Sequence, residues 1–271
     1  MSMKDRSNPT LAPPRLGELN VEEYLNDPAR RQAFVTPMFD VIAPRYDAFT
    51  KLFSFGMDAG WKKEAVQAAL AHASDAHDVL DLACGTGDFV VALATSLASA
   101  NVLGIDASPR MVAEADERFA RMTVRGNAAE AAVVKRMHVR VGDMMQLDSN
   151  DASIDLVTAG YGFRNVPDAV IAVREVARVL RRGGTFVTLD FYRPELLVWR
   201  KLLLGYLTVA GNTVGWLWHR DPVVYGYIAR SIDHFMSWQA FSALLDREGF
   251  QVQHVVRHLG GGIALHVATR R

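Results

Sequence analysis

Cysteine occurs once in the 271 residues, at Cys84, so no internal disulfide framework holds this fold together and packing must supply the stability. Single cysteine usage also fits a reducing compartment, and Cys84 is expected to pack as a small residue under a turn. A surplus of either charge is missing too, because Lys plus Arg and Asp plus Glu both number 30. Without a basic excess or a dense basic stripe there is no electrostatic case for nucleic acid, and Arg30-Arg31 and Arg181-Arg182 read as solvated helix ends. No apolar run is clean enough to span a bilayer. The strongest, Leu196 to Trp218, is broken by Arg200, Lys201 and Gly211-Asn212-Thr213. No metal set is evident: His254 and His258 share a face of an extended segment, with no Cys, Asp or Glu spaced to complete the ligands. Met1 to Asn20 is polar and proline-bearing without an apolar core, which predicts a flexible tail over 1–20 and no secretory signal. The remaining length, 21–271, suits one domain with caps at 21–62 and 195–230.

What is present centres on Val79-Leu80-Asp81-Leu82-Ala83-Cys84-Gly85-Thr86-Gly87-Asp88-Phe89. Asp78 to Leu82 is short and β-capable, and Phe89 to Leu97 carries apolar residues at helical spacing, so Gly85, Thr86 and Gly87 fall where a strand hands over to a helix. Ligands of open α/β sheets bind there. A dinucleotide fingerprint needs a third glycine, which is absent, and Asp81 and Asp88 bracket the loop instead. Carboxylates in those places repel a pyrophosphate and favour a cationic ligand such as S-adenosylmethionine. Asp106 ends the next apolar segment about twenty residues on, the spacing of a carboxylate that accepts from ribose hydroxyls, and Ala107 and Met111 follow it in the same candidate site. Asp143 and Met144 leave the third strand as candidates for the adenine amino group and ring face, although a Gly-Asp pair there is an ordinary turn in most chains.

Beyond the loop the pattern alternates. Strands are expected at Asn101 to Ile105, His138 to Val141, Ile154 to Ala159 and Thr185 to Phe191, and helices at Pro109 to Met122, Asp168 to Leu180 and Trp238 to Arg247. Such alternation predicts an α/β fold with a doubly wound parallel sheet. Val21 to His72 reads as a helical front piece, Arg125 to Val134 as an alanine-rich insertion, and Arg181-Arg182-Gly183-Gly184 as a stop. Leu196 to Trp218 fits a lid over an apolar pocket, a subunit contact in a homodimer, an interfacial helix at a membrane surface, or core packing.

Four stretches together resemble the ubiquinone/menaquinone biosynthesis C-methyltransferase family: Phe39 to Asp47 with Ser54-Phe55-Gly56 and Trp61-Lys62; Val79 to Asp88; Tyr161-Gly162-Phe163-Arg164-Asn165-Val166; and Gly260 to His266 after Ser231-Ile232 and Phe235. They cover most of the chain from Phe39 onward. The resemblance implies a Rossmann-like methyltransferase fold, with a mostly parallel seven-stranded sheet and an antiparallel last strand, a helical N-terminal piece and a helical lid. It implies S-adenosyl-L-methionine as cofactor, a quinol or phenolic acceptor, prenylated in the quinol case, and a cytoplasmic enzyme with a peripheral membrane contact left open. The chain departs from the family pattern at Thr50, usually asparagine; at Asp58, often histidine; at Gly160, commonly a serine that contacts the cofactor; and at Asp190-Phe191-Tyr192, usually glutamate, phenylalanine and serine.

Methyl transfer to a ring carbon needs an ionised neighbouring hydroxyl, and a phenol of pKa about 10 requires help at neutral pH. Arg164 is the candidate for stabilising the phenolate, Asn165 for orienting the hydroxyl, and Asp190 and His266 for accepting the proton. A turn cap and a satisfied interior histidine are the plainer readings of the last two. Tyr46 and Tyr161 are expected to border the cofactor, with aromatic packing as the alternative. A different small phenolic acceptor, a non-catalytic S-adenosylmethionine-binding protein, and a dehydrogenase stay as competing readings.

Overall fold

Val79, Leu80 and Leu82 are all buried although successive side chains point to opposite faces, which is the burial of a strand covered on both sides. This is β1 (Asp78–Leu82), in a sheet completed by β2 (Asn101–Asp106), β3 (Met137–Val141), β4 (Ile154–Gly160), β5 (Leu180–Phe191), β6 (Phe250–His258) and β7 (Ile263–Arg270). The computed structural model describes residues 28–219 and 223–271. The expected tail over 1–20 and the apolar face of Val21, Tyr24 and Leu25 lie outside the described residues.

Strand order is β3-β2-β1-β4-β5-β7-β6. The first five run parallel, and β7 enters antiparallel to both β5 and β6. The chain therefore winds outward from β1 in both directions. A crevice must open at the carboxyl ends of β1 and β4, the point where the order reverses.

The helices are α1 (Pro28–Ile42), α2 (Tyr46–Phe53), α3 (Met57–His72), α4 (Asp88–Ser96), α5 (Pro109–Arg125), α6 (Ala128–Val134), α7 (Ala169–Val179), α8 (Leu197–His219), α9 (Val223–His234) and α10 (Trp238–Arg247). Residues of α7 and α10 pack with Leu80, Leu82 and Phe186 on one sheet face, while α3, α4 and α5 pack with Val79, Val102 and Val187 on the other. A third apolar cluster belongs to the cap: Val35, Met38 and Ile42 of α1 meet Leu203 and Leu207 of α8 and Tyr227 of α9, and Met111 of α5 ties the cluster to the sheet. At roughly 1.5 to 3 kcal/mol for each large side chain buried, such a cluster holds the cap over the crevice. Asp40 of α1 adds a polar anchor, because its Oδ1 accepts from the Ser108 hydroxyl and from the Arg110 amide at the start of α5. No helix among the described residues is long and apolar enough to cross a membrane.

Two segments differ from the sequence expectation. The expected stop at 181–184 is instead the first part of β5, with Gly183 in the left-handed region at φ 79° and the sheet register shifting opposite it between Ile154 and Leu156. The expected insertion contains α6, whose start is fixed by Asn127: its side chain accepts from the Ala129 and Glu130 amides while Glu130 accepts from the Asn127 amide, a reciprocal capping box.

Candidate active site

Two cavities meet above the carboxyl ends of the strands, and Phe39 and Tyr161 line both. The first is built on the loop after β1. Gly87 opens α4 at φ 84°, and a Cβ there would lie 2.8 Å from the Phe119 ring, so both backbone conformation and close approach call for glycine. Gly160, at the end of β4, is similarly constrained because a Cβ would stand 2.5 Å from the Phe89 ring. Gly85, Asp106, Ala107, Met111, Asp143, Met144, Gly160 and Tyr161 all line this cavity, and Asn165 joins them. Val35 and Phe39 close it from the cap, a contribution from α1 that nothing in the loop sequence signals.

The remaining candidates stand elsewhere. Asp81 lies fully buried beneath the loop, where Oδ1 accepts from the Thr158 hydroxyl at 2.7 Å and Oδ2 has no partner. Burial pushes its carboxyl up to about 8, against the Thr158 bond. Thr86 and Gly87 turn the chain without lining the cavity. Asp88 faces away: Lys62 donates to its Oδ2 at 2.7 Å and Arg118 to its Oδ1 at 2.6 Å, so its charge is already neutralised. The pair of carboxylates that gives the cavity its sign is therefore Asp106 and Asp143, not Asp81 and Asp88. The Tyr46 side chain lies outside the described residues.

Asp106 is also less free than its place at a strand end suggests. Its Oδ2 accepts from the Gly85 amide and its Oδ1 from the Ser108 amide, each at 2.9 Å, so the carboxylate staples the glycine loop to the exit of β2. Burial nonetheless raises its pKa against those two bonds. A carboxylate offers about four acceptor positions, which leaves capacity toward the cavity. Asp143 accepts from the Met145 amide at 2.8 Å and holds the turn after β3.

These residues fit S-adenosylmethionine. The described lining carries two carboxylates and no Lys or Arg, an orphaned Asp81 oxygen waits under the loop, and Met144, Ile105 and Val166 offer apolar surface to a flat ring. A pyrophosphate would meet only like charge.

The second cavity, about 310 Å³, is apolar and roofed by α8, with Trp199, Leu203 and Leu207 on its wall. Its few polar groups include Thr50, Ser54, Asp58, Tyr227 and Arg164. Arg164 sits in a short 3-10 turn (Phe163–Asn165) after β4, donates from Nη1 to the Tyr161 carbonyl at 2.8 Å and to Asp190 Oδ1 at 3.0 Å, and stacks 5.2 Å from the Phe191 ring centre. Its Nε, also buried, has no partner. Asn165 donates to the same Tyr161 carbonyl at 3.2 Å and accepts from the Tyr227 hydroxyl at 3.4 Å. Tyr161 has φ 59°, an uncommon left-handed conformation for a bulky residue, and the two side-chain donors on its carbonyl help to hold it there.

Two candidate proton acceptors line neither cavity. Asp190 is fully buried behind Arg164, with Oδ1 taken by Arg164 and the Phe191 amide and Oδ2 by the Arg164 amide. Burial raises its pKa, with the Arg164 guanidinium opposing, and it acts on the site by holding Arg164. His266 is enclosed on the other side of β7, packed on Tyr192 and Phe241. The Trp238 carbonyl can only accept, so Nε2 carries the hydrogen toward Trp238 (3.2 Å) and Ser242 Oγ (3.0 Å), and Nδ1 accepts from the Tyr192 hydroxyl at 3.4 Å. His266 is thus the satisfied interior histidine.

Burial pushes His266 down to about 4. Below about 6.5 the unfolded chain binds a proton that the folded chain refuses, so this residue's contribution to stability is intact above that pH and is lost as pH falls toward 4. His266→Gln is expected to flatten the fall in melting temperature between pH 6.5 and 4. An unchanged slope in a pH series of melting curves would contradict the assignment.

A seven-stranded sheet of this order, a glycine loop after its first strand and an acidic crevice beside an apolar cavity define an S-adenosylmethionine-dependent methyltransferase. The model of the ubiE/COQ5 methyltransferase family matches residues 27–270, and the chain belongs to that family. Demethylmenaquinone methyltransferase of Lactiplantibacillus plantarum is 35% identical over 237 residues, covering 87% of this chain and 95% of that protein. The protein of the same description from Desulfitobacterium hafniense is 31% identical over 258 residues, covering 94% and 97%. Among solved structures, a Thermotoga maritima S-adenosylmethionine-dependent methyltransferase superposes with a TM-score of 0.55 at 18% identity, covering 87% of this chain and 99% of that one. Geranyl diphosphate C-methyltransferase from Streptomyces coelicolor does so at 0.54 and 14%, covering 77% and 78%. At these identities the structures speak for the fold alone.

Proposed function

We propose that the protein methylates a ring carbon of a prenylated quinol in ubiquinone or menaquinone formation. The observation that carries this reading is the apolar second cavity, which shares Tyr161 and Phe39 with the cofactor crevice and reaches the surface between α8 and the turn around Phe55. The described relatives named demethylmenaquinone methyltransferase support the same acceptor class. A small, hydrophilic phenol would leave most of such a wall without a partner, whereas a prenyl chain fills it.

The cofactor supplies a methyl group on a cationic sulfur. In this reading Gly85, Asp106, Ala107, Met111, Asp143, Met144, Gly160 and Tyr161 hold it, with Asp81 bonded to Thr158 beneath the loop. Arg164, whose Nε lacks a partner, stabilises the developing phenolate, and Asn165 fixes the turn that presents it. The enclosing cap excludes water from the transfer, and its contribution is orientation rather than covalent catalysis. Asp190 is a positioning residue.

The mouth of the cavity supports a peripheral membrane contact. Phe55 is 76% exposed and Leu202 62% exposed, and both line the cavity while facing solvent; Val198, Val209 and Trp216 continue the apolar surface along α8. Flotation with phospholipid vesicles should recover the wild-type protein, and Phe55→Ser with Leu202→Ser should recover several-fold less without loss of S-adenosylmethionine binding; equal flotation would remove the membrane contact. The acceptor itself is tested by mass spectrometry of products from labelled S-adenosylmethionine with a panel of quinols and phenols. Labelling only of short phenols, with prenylated quinols inert, would move the function to a different phenolic acceptor.

A further inference from the structure

We propose that Asp58 is the base that takes the proton of the acceptor's ring hydroxyl, a role that rests on the phenolic reading above. Asp58 is the only carboxylate among the described residues that line the apolar cavity, and it is 8% exposed. Ser54 fixes it: the Ser54 hydroxyl donates to Asp58 Oδ1 at 2.8 Å and accepts from the Asp58 amide at 3.2 Å. Asp58 also stands in the first turn of α3, where a negative side chain is favoured by the unpaired amides. That position alone would make it an ordinary helix-start acid. What sets it apart is that the helix start opens into a nearly nonpolar wall, where a carboxylate is costly unless it has polar partners.

Behind Asp58 the polar groups continue outward. Lys62 Nζ lies 3.5 Å from Asp58 Oδ2 and donates to Asp88 Oδ2 at 2.7 Å, and Asp88 borders a separate surface groove on the far side of α3. Among the described residues, the charged and titratable groups around Asp58 are Lys62 on its own helix; Arg164, Tyr161, Tyr206 and Tyr227 across the cavity; and Asp88, Arg118 and Asp81 beyond Lys62. The Lys62 ammonium thereby joins Asp58 to a charged cluster that borders the surface.

The step balances without another reactant. The hydroxyl proton passes to Asp58 as the ring carbon forms its bond to the methyl group and the methyl–sulfur bond breaks, the sulfonium keeping that electron pair as a neutral thioether. The ring is then a neutral dienone, with the methyl-bearing carbon still carrying its hydrogen. Tautomerisation moves that hydrogen to the oxygen as a proton and restores the aromatic ring. Asp58 then returns the proton it took to solvent, the Lys62 ammonium standing as the counter-charge of the carboxylate that is left, so one proton leaves for each methyl transferred. Neither Asp190 nor His266 can serve, since neither reaches this cavity.

Asp58→Asn tests the assignment, with melting curves and calorimetric S-adenosylmethionine titration to show that the fold and cofactor site persist. Loss of a general base is expected to lower kcat by about 10²- to 10⁴-fold and to leave cofactor affinity unchanged. Asp58→Glu should recover part of the rate. A second readout needs no turnover: 2-naphthol bound with S-adenosylhomocysteine loses its excited-state proton only to an adjacent acceptor and then emits as naphtholate. The wild type should show that band and Asp58→Asn should lose it. If Asp58→Asn does not fold, Ser54→Ala should weaken the band by disordering the carboxylate. No naphtholate band in the wild type, a band unchanged in the folded variant, or wild-type turnover by Asp58→Asn would overturn the proposal. If no quinol or phenol is methylated by the wild type while the naphthol result holds, the acceptor reading fails and the placement of a base at Asp58 stands.

Discussion

Asp190→Ala should lower the stability of the protein by about 3 to 5 kcal/mol, the cost of leaving a buried guanidinium without its counter-charge. The Arg164 side chain is 6% exposed and its Asp190 partner fully enclosed, so water cannot replace the lost oxygen where the two meet. The Phe191 and Arg164 amides lose their acceptor as well. For a domain of this size that corresponds to a melting temperature lower by roughly 6 to 20 °C. Asp190→Asn should cost less, because an amide oxygen still accepts. The decisive comparison is a double variant. Arg164→Met with Asp190→Ala removes both charges from the interior and should regain much of the stability while methyl transfer stays low, since the group proposed to face the acceptor is gone. Differential scanning calorimetry of the three proteins separates the cases; a double variant no more stable than Asp190→Ala would mean that the pair is not the source of the loss. S-adenosylmethionine affinity should hold in whichever variants fold, because Asp190 does not line the cofactor crevice.

That pair also marks the limit of what the sequence discloses. The strand-to-helix handover at Gly85 and Gly87 is legible because a short apolar, β-capable run gives way to helical spacing across two residues that tolerate left-handed backbone, and the structure puts β1 and α4 on either side of it. α10 is legible at both ends, since Ser237 caps it and Gly249 follows it at φ 92°. Whether a carboxylate faces a ligand or another side chain is a different kind of fact. Asp81, Asp88, Asp106 and Asp190 all stand at strand or helix ends, yet one is orphaned beneath a loop, one is neutralised by Lys62 and Arg118, one staples the glycine loop and one holds an arginine. Partners 21 to 77 residues away decide among these fates, and no local pattern carries them. A signal was available for α6, where Asn127 and Glu130 stand at capping-box spacing ahead of an alanine-rich run. None was available for Val35 as a wall of the cofactor crevice, because its contact is made by the packing of the cap.

Asp106→Ala is expected to weaken S-adenosylmethionine binding and to loosen the loop that receives it, two effects from one carboxylate. Charge-assisted hydrogen bonds to a ribose contribute roughly 1.5 to 3 kcal/mol each, so losing them lowers affinity by about ten- to a hundredfold or more. A free carboxylate at a strand end would make that the whole effect. Here the Gly85 and Ser108 amides also lose their acceptor, and each buried donor left unpaired costs about 1 to 3 kcal/mol, toward the lower value where the crevice lets water in. Part of the affinity loss then comes from reordering Ala83 to Gly85 when cofactor binds. Asp106→Asn separates the contributions: its amide oxygen can keep one of the two backbone bonds, so the apoprotein should melt closer to wild type while affinity still falls through loss of charge. Calorimetric titration gives the affinities and apoprotein melting curves give the loop's share. Wild-type affinity in Asp106→Ala would mean that the ribose is held elsewhere, and an unshifted melting curve would mean that the two amides find other acceptors and the staple is not structural.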